Sequence, residues 1–149
     1  MGQSLSQMYI HLVFATKGRY PHITEDVESS LHAYMAGIFN NMESPALRIN
    51  SVPDHIHVLF RLSKNHSLAK VVEIVKKDSS KWMKKKGVLG FTWQIGYGAF
   101  SVSSSGVNKV TNYINNQKAH HHKKSFHDEI GEFMQAYDEV EFDERYFYE

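Results

Sequence analysis

The chain has 149 residues, no cysteine and a formal net charge of +1. That length suits one domain with a real core, residues 1–149, and the 42% hydrophobic content is ordinary for a soluble globular protein. The lack of cysteine excludes disulfides and thiolate metal sites, and no apolar run is long enough to span a membrane. Met1 to Gln7 is polar and has no signal-peptide core, so a cytoplasmic protein with no membrane partner is expected. Charge is unevenly spread. Seven lysines lie between Ser67 and Lys86 against Glu73 and Asp78, whereas nine acidic residues from Asp128 onward face Arg145 alone. A basic middle and an acidic C-terminal segment (128–149) point mildly to a polyanion bound by the middle.

Met8 to Thr16 reads as a first strand, with Ile10, Leu12 and Phe14 on one face and Tyr9, His11 and Val13 on the other. His11 is expected as a polar strand residue or a DNA-facing side chain. Lys17-Gly18-Arg19-Tyr20-Pro21 follows as a turn whose cations suit phosphate or plain solvent. Thr24 caps a helix running to Met42, with Val27, Leu31, Tyr34, Met35 and Ile38 as its core stripe. Ala46 to Ser51 forms a second strand, paired antiparallel with the next through the turn at Pro53-Asp54.

The third strand begins His55-Ile56-His57-Val58-Leu59-Phe60. Period-two alternation points both imidazoles the same way, roughly 6–7 Å apart, and Ile56 and Val58 into the core. Two readings stand at this point: polar residues on a solvated face, or two ligands of one metal ion. Ser67 to Lys86 is an amphipathic helix. Its surface lysines, Lys77, Lys81, Lys84 and Lys85 among them, are either solvated or in contact with nucleic acid, and Gly87 and Gly90 end it. Phe91 to Ser103 is a further strand region interrupted by Gly96 and Gly98. Its Trp93, Tyr97 and Phe100 either stack on bases or pack in the core and sheet, and for Phe100 packing is expected.

A helix from Val107 to Lys123 carries Tyr113 and Gln117, four apart and therefore on one face. An amide oxygen can join two imidazoles as a hard ligand, and a phenol can attack a phosphate that a metal has polarised. Adjacent residues on a helix diverge by about 100°, so His120, His121 and His122 do not converge on one ion. Ser125 to Tyr137 is a short amphipathic helix. The acidic, aromatic tail after it is expected to dock on the body or on a second subunit.

The His-Ile-His strand, followed by Tyr113-Ile114-Asn115-Asn116-Gln117-Lys118-Ala119-His120-His121, resembles the single-tyrosine HUH transposases of bacterial insertion sequences, and their relatives acting on repetitive extragenic palindromes. Trp93 to Ser103 and Lys17-Gly18-Arg19 also resemble family segments, so the likeness runs from Tyr9 to Phe126. It implies an α+β fold: a ferredoxin-like split antiparallel sheet with helices on one face and the tyrosine on a C-terminal helix. It implies Tyr113 as catalytic nucleophile and His55, His57 and Gln117 as ligands of a divalent metal, Mg²⁺ or Mn²⁺, with no nucleotide cofactor. The implied substrate is single-stranded DNA with hairpin ends. The implied assembly is a homodimer whose tyrosine helices can complete sites in cis or in trans. A catalytically inactive hairpin-binding protein is the alternative. A histidine-triad phosphohydrolase fits less well, because Leu59 stands where that family has a third histidine.

Overall fold

The computed structural model describes residues 3–121 and 125–136. β1 (Met8–Ala15), β2 (Ala46–Val52), β3 (His55–Leu62) and β4 (Gly98–Val102) form one antiparallel sheet in the order β2-β3-β1-β4. The crossovers are α1 (Glu25–Asn41) and α2 (Leu68–Lys85), and α3 (Val107–Asn115), α4 (Gln117–His121) and α5 (Phe126–Ala136) follow the sheet. This is the split, ferredoxin-like arrangement expected from the element order. No helix among the described residues is long and apolar enough to cross a membrane. The tail beyond Ala136 and the side chains of the histidine run at 120–122 lie outside the described residues, so the docking expected for the tail has no counterpart here.

Alternation along the strands divides the sheet into two chemically different faces. Leu12, Phe14, Ile56, Val58 and Phe60 project to one side and pack against Leu31, Met35 and Phe39 of α1 and Val71, Val75 and Met83 of α2. Each large side chain buried there contributes about 1.5–3 kcal/mol. Both crossover helices occupy this side, as expected. Ser67 caps α2 by accepting from the Lys70 amide at 3.1 Å, and Gly87 leaves the helix with φ of +90°.

The other face carries His11, His55 and His57, with Leu59 at its apolar end. It is covered as well: Leu59 and Val102 form a small second core with Ile114 of α3.

One expected strand is shorter than predicted. Of the stretch from Phe91 to Ser103 only Gly98–Val102 is strand, with Trp93 bridged singly to Thr16. The Lys76 ammonium donates to the carbonyls of Gln94, Ile95 and Gly96 at 2.6–3.1 Å, which turns them away from any ladder. Gln94 instead pairs with β1 through mixed atoms: its N–H donates to the Ala15 carbonyl at 2.9 Å, and its side-chain Oε1 accepts from the Ala15 N–H at 2.6 Å. Trp93 is therefore core and does not present itself to bases. It lies edge-on to Phe14 and Phe91, and its indole N–H donates to Ser79 Oγ at 3.0 Å.

Candidate metal and tyrosine site

Strand register builds the first half of the site. His55 lies opposite Ala15, and His57 lies between Val13 on β1 and Asn50 on β2. Both imidazoles are fully buried, with ring centroids 5.2 Å apart, so the solvated-face reading does not hold. Each ring is oriented from behind. His55 Nδ1 lies 2.9 Å from Asp54 Oδ1, and His57 Nδ1 lies 2.8 Å from Nε2 of the buried His11. With Nδ1 carrying the hydrogen toward Asp54 or His11, Nε2 offers its lone pair to a metal. His11 is thus neither solvent-facing nor DNA-facing.

The second half arrives on α3 and α4. Ile114, fully buried, anchors α3 against β3, and this turns Tyr113 toward the histidines, 5.8 Å from His57 between ring centroids. The helix predicted from Val107 to Lys123 is broken at Asn116 (φ −96°, ψ 14°). The cause lies on β2. Asn50 Nδ2 donates to the Ile114 carbonyl at 2.8 Å and to that of Asn115 at 3.4 Å, taking acceptors that a continuing helix would use. Lys118, in α4, pairs with Glu28 of α1 at 2.6 Å. Tyr113 and Gln117 still meet, because both reach the same carboxylate.

That carboxylate is Glu129, on α5 and 4% exposed. Its Oε2 lies 3.2 Å from His55 Nε2 and its Oε1 lies 3.0 Å from His57 Nε2. Gln117 Nε2 donates to Oε1 at 2.9 Å, and the Tyr113 hydroxyl donates to the same oxygen. Sequence reasoning missed Glu129. One acidic residue on an amphipathic helix in an acidic segment carries no signal of its own.

The electrostatics follow from burial and from this crowding. Desolvation works against His55's charge, but hydrogen bonds and charge from Asp54 and Glu129 outweigh it, so its pKa is raised. Glu129 is likewise penalised by burial, yet its hydrogen bonds to His55 and His57 hold it well below the usual carboxylate range. Burial and then the Glu129 charge push the Tyr113 phenol well above its ordinary value. His11 is pushed down to about 3, first by burial and then by His57.

His55, His57 and Glu129 each offer a ligand atom, and these atoms lie within 4.8 Å of one another. Gln117 Oε1 is buried beside them with no hydrogen-bond partner among the described residues. Two imidazole nitrogens, a carboxylate and an unused amide oxygen form a mixed N/O donor set that fits a divalent ion.

Not every predicted residue reaches this place. Lys17 and Arg19 are exposed on the turn after β1, next to the start of β3. Lys77, Lys81, Lys84 and Lys85 are exposed on α2, which packs against the opposite face of the sheet; the structure does not bring them to the histidines.

A sheet that holds a His-hydrophobe-His pair on one face, with a helix bringing a tyrosine onto that face, defines the HUH-type class of transposase fold. The family of IS200-like transposases matches residues 4–117, more than half of the chain, and the protein belongs to that family. Among solved structures, a Deinococcus radiodurans R1 protein assigned as a transposase aligns with a TM-score of 0.62 at 23% identity, covering 78% of this chain and 96% of that one. A REP-associated tyrosine transposase bound to a REP hairpin aligns with a TM-score of 0.59 at 13% identity, covering 81% of this chain and 74% of that one. No curated protein sequence matches the chain.

Proposed function

We propose that the protein cleaves and rejoins single-stranded DNA through a 5′-phosphotyrosine on Tyr113, using a divalent ion held by His55, His57 and Gln117. Glu129 is proposed as a further oxygen ligand at the same place. One observation carries this reading: the Tyr113 hydroxyl and the Nε2 atoms of both histidines converge on a single buried carboxylate. A bound Mg²⁺ or Mn²⁺ would supply positive charge to neutralise the scissile phosphate.

The side chains do the remaining work. A free tyrosine ionises near pH 10, and burial beside Glu129 makes this one more reluctant still, so the nucleophile forms only where compensating positive charge is present. Glu129 Oε1 accepts the phenolic hydrogen bond and so orients the hydroxyl, and the proton leaves to water as the phenolate forms. The Tyr113 oxygen then bonds to phosphorus, the bond from phosphorus to the 3′-oxygen breaks, and that oxygen takes a proton from water. Attack by a 3′-hydroxyl reverses the step. The phosphodiester energy is conserved in the phosphotyrosine, so no nucleotide cofactor is required.

Hairpin-ended DNA is the proposed substrate, supported by the hairpin on which the REP-associated relative was solved. One tyrosine per site handles one strand end at a time, which favours a homodimer for moving a segment with two ends. Leu59, at the position of a third histidine in the triad phosphohydrolases, is packed against Ile114 and Val102, which argues against that chemistry.

The test is incubation with single-stranded hairpin DNA and Mg²⁺ or Mn²⁺. The wild type should give a denaturant-resistant protein–DNA adduct; Tyr113→Phe should give none and still bind the hairpin. An adduct in the variant would remove Tyr113 from its role. Hairpin binding with no adduct in the wild type would leave a binding module only.

A further inference from the structure

The turn between β1 and α1 is built more rigidly than a plain connection requires. The Thr16 hydroxyl donates to the Tyr20 carbonyl at 2.7 Å, the His22 N–H donates to the same carbonyl at 2.8 Å, and the Lys17 N–H donates to the Thr92 carbonyl at 2.8 Å. Gly18 and Arg19 are both left-handed, with φ of +64° and +54°. Glycine accepts that conformation freely, whereas an arginine there is strained and is held by its surroundings.

This frame presents Tyr20 with 63% of its surface exposed. The ring does not float. It lies 4.5 Å from the His22 ring, His22 stands edge-on to Phe91 at 5.4 Å, Phe91 to Trp93 at 4.8 Å, and Trp93 to Phe14 at 4.6 Å. A ladder of rings thus runs from the core to one exposed phenol. Lys17 and Arg19 are exposed on the same turn. The turn also abuts the histidine end of β3: the Thr16 N–H donates to the carbonyl of Asp54 at 2.9 Å, its hydroxyl oxygen lies 3.2 Å from that carbonyl, and the Asp54 carboxylate orients His55.

We propose that Tyr20, backed by His22, is a stacking platform for one unpaired base of the DNA strand entering the site, with Lys17 and Arg19 meeting that strand's phosphates. The chemistry fits this partner. An aromatic face stacks on any base, adjacent cations neutralise the backbone, and a ring already resting on His22 has less freedom to lose on binding. A paired base does not offer its face, so the platform selects single-stranded over duplex DNA. The inference rests on single-stranded DNA as substrate, but not on cleavage of it.

The test is therefore run without metal, as equilibrium binding in chelator. The probe is a fluorescent DNA hairpin carrying a short 5′ single-stranded thymidine flank, with each flank position made abasic in turn. Tyr20→Ala should weaken binding roughly 5- to 30-fold, and Tyr20→Trp should retain it. One abasic position should cost the wild type a similar factor and cost Tyr20→Ala nothing further, the non-additivity expected of two groups in contact. Unchanged binding by Tyr20→Ala, or abasic losses that add fully to it, would overturn the platform and leave the ring ladder as packing. Thermal unfolding of both variants confirms that the fold is kept. Failure of the wild type to form a covalent adduct with metal would count against the proposed chemistry and leave this binding result standing.

Discussion

Glu129→Gln removes one charge from the centre of the site and almost none of its volume. In the wild type the carboxylate meets two imidazoles, a phenol and an amide. A hydrogen bond to an ionised group exceeds its neutral counterpart by about 1 kcal/mol, so four contacts set a ceiling near 4 kcal/mol. The desolvation cost of a buried carboxylate offsets roughly half of this, and we expect a loss of about 2 kcal/mol in metal-free protein. The pH window follows from the signs of the shifts. Glu129's folded pKa is depressed, so its contribution is present above the unfolded value of 4.5 and is lost as the pH falls. His55's folded pKa is raised, so its contribution is present below 6.5 and is lost as the pH rises through the folded value. The difference between wild type and variant should therefore be largest between about pH 5 and 6.5. Urea unfolding in chelator reads it: with a slope of about 2 kcal/mol/M, the midpoint should drop by about 1 M. Mn²⁺ at a hundred times its Kd should raise wild-type stability by about 2.7 kcal/mol, and the variant, short of one oxygen ligand, should gain less. An unchanged metal-free midpoint across that window would refute the placement of Glu129 among the histidines.

Two further predictions concern the residues that set up the site. His11 titrates near pH 6.5 when unfolded and near 3 when folded, so the unfolded chain takes up its proton first and acid erodes stability from pH 6.5 downward. That amounts to about 2 kcal/mol at pH 5. His11→Gln should lose this part of the acid sensitivity, and parallel unfolding midpoints for wild type and variant at pH 7 and 5 would contradict it. Asn50→Ala frees the carbonyls that interrupt the tyrosine helix. It should cost about 1 kcal/mol and slow adduct formation at saturating DNA while leaving hairpin affinity unchanged; an unaltered rate would show that the break at Asn116 has no part in placing Tyr113.

What the sequence disclosed was whatever depends on short periods. Alternation put His55 and His57 on one face and Ile56 and Val58 on the other, and helical spacing marked the stripes of α1 and α2; both were legible because burial acts on each element separately. The site's other features depend on long-range approach. Glu129 lies more than 70 residues from His55 and reaches it only because α5 folds back over the sheet. The break at Asn116 is imposed by Asn50 on another element. The α2 lysines show the limit of composition: the apolar stripe faces the Leu12–Phe14 side, which sends their charges away from the histidine face. For Trp93 the sequence leaves base stacking and core packing both open; the Ser79 partner on α2 that decides for the core lies outside any local window.

Tyr113 of one chain meets that chain's own Glu129, which also meets His55 and His57, so we propose a site completed in cis, and mixing two inactive variants tests this most directly. Tyr113→Phe keeps the histidines, His57→Ala keeps the tyrosine, and neither should form a covalent adduct on hairpin DNA with Mn²⁺. Their mixture, equilibrated so that any subunits can exchange, should form none either. Adduct recovered in the mixture would mean that the phenol of one molecule serves the metal of another, and would contradict completion of the site in cis.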